Sequence, residues 1–256
     1  MNASIPFDLV SLARSLGDPQ GDMAILAEGN VSGADGDDAF WVKASGTSLA
    51  TLSESGLVRV GPAPLLKALD GPALTDEEVR AALRNARLDP STEAMPSVET
   101  FMHAYLLDLP NVRFVGHTHP TPLLSLLALA DAADYARLRL FPDEIVCCGP
   151  ETPFVPYVDP GLPLARAIRD SVVCHIKAWG DPPKTIWLGN HGLIALGKST
   201  AEVESASRMA IKAARVWLGA LGTGKPLCTL TNVEIERIHT RPDEHYRQRM
   251  LAQAKG

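Results

Sequence analysis

The chain has 256 residues, a net charge of −6, and apolar (46%) and charged (21%) shares ordinary for a soluble globular protein. No run of five like charges occurs, so the electrostatic footprint of a nucleic-acid binder is absent. The longest apolar run, 123–130, contains Ser125 and is far too short for a membrane span.

Residues 6–16 place Phe7, Val10, Leu12, Ala13 and Leu16 at helical spacing and stop near Gly17. Without a basic stretch and a cleavage site, this beginning reads as an amphipathic helix and not a signal peptide. Segments 39–45 and 56–61 read as strands bounded by Gly and Ser. Residues 75–88 open with a capping box, Thr75 and Glu78, and predict a helix. Over 97–109, Val98, Phe101, Met102, Tyr105, Leu106 and Leu109 form one apolar stripe, with Ser97 as N-cap. Residues 111–119 read as a strand and 122–130 as a buried helix. EIVCC (144–148) and PFVPYV (153–158) look like short strands, 162–179 like a helix, and 185–197 like two strands around a turn. A long helix over 201–221 is expected to end with Gly222 at C′.

Strands and helices mixed without strict alternation predict a central, mainly antiparallel sheet flanked by helices. With no internal repeat or long linker, 1–256 reads as a single domain. The four cysteines form no C-x-x-C pair, which fits reduced thiols and a cytoplasmic location.

Chemistry gathers around a few short motifs. GHTHP (116–120) puts His117 and His119 at i and i+2 of a strand, on one face, roughly 7 Å apart at Cα from a rise of ~3.3 Å per residue. Two such imidazoles can share a metal ion; equally, one can cap the next helix while the other meets solvent. His191, in the NHG turn (190–192), offers a third imidazole or a solvated turn residue. His103, His175, His239 and His245 read as packing or surface residues. Glu99, near a helix start, suits the helix dipole; beside a metal it can carry a proton to or from carbon if burial lifts its pKa towards the working pH. EGNVSG (28–33), KASGTS (43–48) and the Pro-Ser before Val98 are small-residue loops able to cradle an anion. No Walker A or dinucleotide-binding signature is present. Of the eight lysines, only Lys43 is placed for Schiff-base chemistry, and weakly.

Taken in order, EGNVSG, a strand ending in a Ser-Gly-Thr turn, PSVE, HTH and NHGLIALG resemble the class II aldolase/adducin family over about residues 5–220. The resemblance implies a three-layer αβα sandwich. It also implies a divalent ion, Zn²⁺ or another such as Mn²⁺ or Co²⁺, on His117, His119 and His191, with Glu99 as acid/base. An anion subsite falls on Asn30, Ser45, Gly46 and Ser97. Val98 replaces a second serine of the family motif, and Lys43, before the Ser-Gly turn, is expected to restore an anion contact. Phe141 stands where the aldolases' loop tyrosine is expected, leaving Tyr246 as a tail candidate.

The implied activity is a carbon–carbon lyase: reversible cleavage of a small hydroxy-ketone or sugar phosphate through a metal-stabilised enediolate. Decarboxylation of a hydroxy or keto acid uses the same intermediate and is the alternative, ahead of epimerisation. A non-catalytic adducin-like binding domain is disfavoured because every ligand position is filled. The family further implies a homotetramer with active sites between neighbours, and a small-molecule substrate in place of nucleic acid or membrane.

Overall fold

A computed structural model describes residues 5–241; His245 and the tail candidate Tyr246 lie outside them. Helix α1 (Ile5–Leu16) leads into β1 (Asn30–Ala34), β2 (Phe40–Lys43) and β3 (Leu57–Val60), then α2 (Ala63–Asp70) and α3 (Asp76–Ala86). After α4 (Thr100–Leu107) come β4 (Phe114–Thr118), α5 (Thr121–Leu127), α6 (Ala132–Arg137), α7 (Pro142–Cys148), β5 (Phe154–Val155) and α8 (Leu162–Trp179). The hairpin β6 (Thr185–Leu188) and β7 (Gly192–Gly197) precedes α9 (Thr200–Leu221) and α10 (Asn232–His239).

The strands form a seven-stranded sheet in the order β3-β2-β1-β4-β7-β6-β5. Every pairing is antiparallel except β5 with β6. Helices cover both faces, so the expected three-layer αβα sandwich is present. Alternation along the central strands assigns the faces. Val42, Val58, Val115, Ile194 and Leu196 face one core with Phe101 and Met102 of α4 and residues of α2, α3 and α8. Val31, Phe114 and Ala195 face a second core with α1 and α9, and Leu193 and Trp187 join α5 and α9 in a third. Gly116 permits the close approach of this second layer: a Cβ there would stand 2.8 Å from Val203 and 2.9 Å from Leu16. Among the described residues, no helix is long and apolar enough to cross a membrane.

Four local expectations are corrected. EIVCC is helical, not a strand: Pro142 starts α7, Asp143 and Glu144 occupy its first turn, and the Glu144 side chain accepts from Leu140 N at 2.8 Å. Those N-terminal signals outweigh the β-branched pair that follows. Gly222 is right-handed, at φ −62°, and the left-handed residue is Gly224 at +66°. Ser97 is not an N-cap, and α4 starts at Thr100. Residues 97–100 instead make a turn, Thr100 N to Ser97 O at 3.0 Å, pinned by a bridge between Ala44 and Pro96. Finally, α4 carries no single stripe: Thr100 to Ala104 and Leu106 are all buried, while Val98 is exposed.

Candidate active site

Three separate segments bring the predicted histidines together. His117 is the penultimate residue of β4, opposite Asn30 on β1 and Ile194 on β7. His119 follows the strand, its N–H bonded to Met23 O at 2.7 Å. His191 comes from the β6–β7 turn, which is made possible by left-handed Asn190 at φ 52°, a conformation Asn tolerates. The ring centroids are 4.8, 4.9 and 5.1 Å apart, and one nitrogen from each lies within 4.8 Å of the others. Gly192 is required here, since a Cβ would stand 2.4 Å from Thr118 O and 2.9 Å from the His119 ring.

The donor set fits a divalent cation. His117 Nδ1 donates to Leu193 O at 2.9 Å, which leaves Nε2 as the lone-pair nitrogen. His119 Nδ1 faces Glu28 Oε1 at 3.8 Å, so the charge there favours a proton on Nδ1. Both Nε2 lone pairs then point inward, 3.0 Å apart, an arrangement that a cation between them relieves. Ligand nitrogens at about 2.0–2.1 Å from a tetrahedral zinc stand about 3.3 Å apart, so little movement is needed. Burial pushes His117 and His119 down to about 4, giving the neutral form that ligates. His191 Nδ1 is buried without a partner.

Glu99 is brought to this cluster: Oε1 is 3.2 Å from His191 Nε2 and 3.6 Å from His117 Nε2. Burial alone would raise its carboxyl, as the sequence argument required. The neighbouring His117 and the bonded His191 outweigh that and hold it well below the usual carboxylate range. Glu99 is thus held ionised, and the raised carboxyl pKa that the sequence argument required is not found.

The predicted anion residues are not all placed as expected. The Ala44–Pro96 bridge and the bond from Ser45 N to Met95 O at 2.8 Å place the Ser45–Gly46 turn beside Ser97. Gly46 is left-handed at φ +77° with open space where a Cβ would be. Ser97 Oγ and Thr100 Oγ1 are buried with no partner. Asn30 is buried and donates Nδ2 to Glu99 Oε2 at 2.6 Å. Lys43 departs from expectation: it is buried, and two of its three ammonium donors already face backbone carbonyls. It is 4% exposed and donates to Thr47 O at 2.6 Å and to Ala27 O at 3.5 Å. Burial lowers its pKa against the opposing charge of Glu99.

Two neighbours were missed. Glu28 lies inside a loop read as an anion cradle, and its side chain, accepting Ile25 N at 3.0 Å, turns to His119 instead. His103, one helical turn after Glu99, was read as packing but hydrogen-bonds to Ser32 and Asn30. The i, i+4 spacing from Glu99 was the available signal. A cavity of about 310 Å³ opens at the opposite end of β7, walled by His175, Trp179, Lys184 and Glu202, and none of the predicted site residues lines it.

With this geometry in view, the sequence over residues 8–218 matches the profile of the Class II Aldolase and Adducin N-terminal domain family. The chain belongs to that family. The class II aldolase/adducin fold also appears in solved structures. The N-terminal class II aldolase domain of a conserved protein from Thermoplasma acidophilum is 25% identical, with a TM-score of 0.66 covering 85% of this chain and 95% of that one. An L-fuculose 1-phosphate aldolase shares the fold at 16% identity and a TM-score of 0.68, over 96% and 98% of the two chains. A Bacillus subtilis (strain 168) protein named as the uncharacterized oxidoreductase YuxG is 31% identical over 166 residues, 64% of this chain. The chain spans about a fifth (21%) of that curated relative's length.

Proposed function

We propose that this protein is a divalent-metal-dependent carbon–carbon lyase, most simply a zinc aldolase of a small hydroxy-ketone or sugar phosphate. The observation that carries the reading is the meeting of three imidazoles with an ionised Glu99, whose Oε1 lies 3.2 and 3.6 Å from two of them. A structural acid would be placed where the cluster's charge is balanced and closed. Here a buried His191 nitrogen, Ser97 Oγ and Thr100 Oγ1 await partners.

His117, His119 and His191 would hold the ion. When bound, it supplies a Lewis acid that polarises a substrate carbonyl. The chain's own residues do the rest. Ser45, Gly46 and Ser97 receive the substrate's anionic end, and Asn30 adds an amide beside them. In the bond-forming direction Glu99 Oε1 removes the proton from the carbon next to the carbonyl; in cleavage it takes up the proton released by the hydroxyl beside the breaking bond and delivers it to that carbon. The carboxylate stands ionised before substrate arrives, as a base must, though its lowered pKa makes it a weaker base than the sequence argument asked for. A carboxylate substrate held by Lys43, as a decarboxylase would need, is weakened because that ammonium already bonds two backbone carbonyls.

Dihydroxyacetone phosphate in D2O provides a test that needs no knowledge of the aldehyde partner. The zinc-loaded protein is expected to wash deuterium into the carbon next to the carbonyl. Glu99→Gln should slow this by about 10²–10⁴-fold, the usual weight of general acid–base catalysis, and chelation should abolish it until zinc is restored. Undiminished exchange after complete metal removal overturns the reading.

A further inference from the structure

Ser32, His103, Asn30 and Glu99 form one continuous hydrogen-bonded chain between β1 and α4. Ser32 Oγ lies 2.6 Å from His103 Nδ1, His103 Nε2 is bonded to Asn30 Oδ1, and Asn30 Nδ2 donates to Glu99 Oε2 at 2.6 Å. Strand geometry brings Asn30 and Ser32, two residues apart, onto the face that α4 covers. Ser32 and His103 have no exposed surface and Asn30 has 4%, so water does not compete for these bonds.

The direction of every bond follows from the last. An ionised carboxylate only accepts, so Asn30 must turn its NH₂ towards Glu99 and its carbonyl oxygen towards His103. That oxygen also only accepts, so His103 carries its proton on Nε2. The neutral ring then accepts at Nδ1, and the Ser32 hydroxyl donates to it. Burial favours the neutral ring, lowering His103 to about 4. All three protons therefore point along the chain towards Glu99.

We propose that His103 is a positioning residue: acting through Asn30, it holds Glu99 with Oε2 occupied and Oε1 presented to the histidine cluster. An apolar side chain of similar volume could fill the same space, yet it would leave Asn30 Oδ1 buried without a donor. The amide would then be anchored at one end only, by its bond to the carboxylate, and would be free to swing and present Glu99 in more than one geometry. Networks of this kind fix geometry only when every member is satisfied, and His103 is the member that satisfies two others. The catalytic consequence rests on Glu99 being the base; the locking of the amide does not.

Two readouts separate these. In full-length protein labelled with [¹⁵N]asparagine, the Asn30 side-chain amide is identified by its loss in Asn30→Asp. Its protons are expected to exchange slowly in the wild type and in His103→Gln, whose amide still donates, and at least about tenfold faster in His103→Leu, as expected for a lost buried hydrogen bond. Wild-type protection in His103→Leu overturns the proposal. Should His103→Leu not fold, Ser32→Ala removes the hydroxyl that anchors the far nitrogen of the His103 ring. Faster Asn30 exchange there supports the chain and unchanged exchange refutes it. At equal zinc content, deuterium wash-in should fall about tenfold in His103→Leu and stay within about threefold of wild type in His103→Gln. If the amide loosens as expected while no form of the protein shows wash-in, the lock stands and the reading of Glu99 as base fails.

Discussion

Two buried polar clusters in this protein use similar residue types for opposite ends. Around Arg139, which has no exposed surface, four of the five N–H donors are engaged. Nε bonds Gly149 O at 2.8 Å, Nη1 bonds Ala136 O and Leu138 O at 3.1 and 2.8 Å, and Nη2 bonds Thr152 Oγ1 at 2.9 Å. Thr152 continues to Thr185 at 2.9 Å, and Thr185 to Cys148 O at 3.1 Å. Glu144 lies 3.9 Å from Nη1 and bonds Leu140 N. Around His117, by contrast, two lone pairs face each other, and His191 Nδ1, Ser97 Oγ and Thr100 Oγ1 have no partner. Leaving a buried polar atom unpaired costs roughly 1–3 kcal/mol. The first cluster closes on itself and ties the segment 136–152 to the sheet. On the proposed function, the second bears that cost because its partners are a cation and a substrate.

If that contrast is right, the two clusters fail differently when cut. The largest effect is expected from Arg139→Met, which strands Glu144 and four acceptors in the interior. Breaking a buried pair from one side destabilises by about 3–5 kcal/mol, read as a lower midpoint in urea. Zinc stoichiometry of the folded fraction should stay unchanged. Replacing Glu144 with Leu in the same chain is expected to recover part of the loss, because the buried carboxylate is then gone as well. Loss of zinc in folded Arg139→Met would show that the clusters are coupled and break the comparison.

A smaller effect, confined to the other cluster, is expected from Glu28→Ala. The side chain is 37% exposed, so its removal should leave stability nearly unchanged. Its carboxylate, however, faces the outer nitrogen of His119, where such groups set tautomer and basicity. Zinc affinity should drop by about 10–100-fold, measured by competition with a chromophoric chelator. An unchanged affinity would mean that the 3.8 Å contact is incidental and that Leu193 O alone organises the ligand nitrogens.

The ligands were legible because their spacing is local. His117 and His119 share a strand face, and NHG is a hairpin turn whichever sheet it joins. Glu99 was legible only in company, through the order of motifs, and its ionisation was misjudged because the opposing imidazoles arrive from β4 and the β6–β7 turn. Lys43 shows the same limit: nothing in KASGT indicates that Ala27 and Thr47 carbonyls will close over its ammonium. His103 looked like core because periodicity reports burial and not what the buried atoms touch. The α7 error arose differently. EIVCC carries β-branched residues, but the helix start lies upstream in Pro142 and Asp143, outside the window being read.

The smallest effect tests what the two clusters share. His103 belongs to the Glu99 chain. His175 lies on the other side, within the influence of Glu151, Arg139 and His239. Burial is the leading cause of a lowered pKa in both, each to about 4 from an ordinary value of 6.5. Between those values the unfolded chain binds more protons than the folded one, so stability rises with pH there. It should be complete above about pH 6.5, and lost progressively as pH falls towards 4. Urea midpoints at pH 7, 6 and 5 should therefore decline, and His103→Gln and His175→Gln should each flatten the decline by a similar amount. A slope relieved by only one of them would mean that its local charges, and not the shared burial, set the cost of charging that ring.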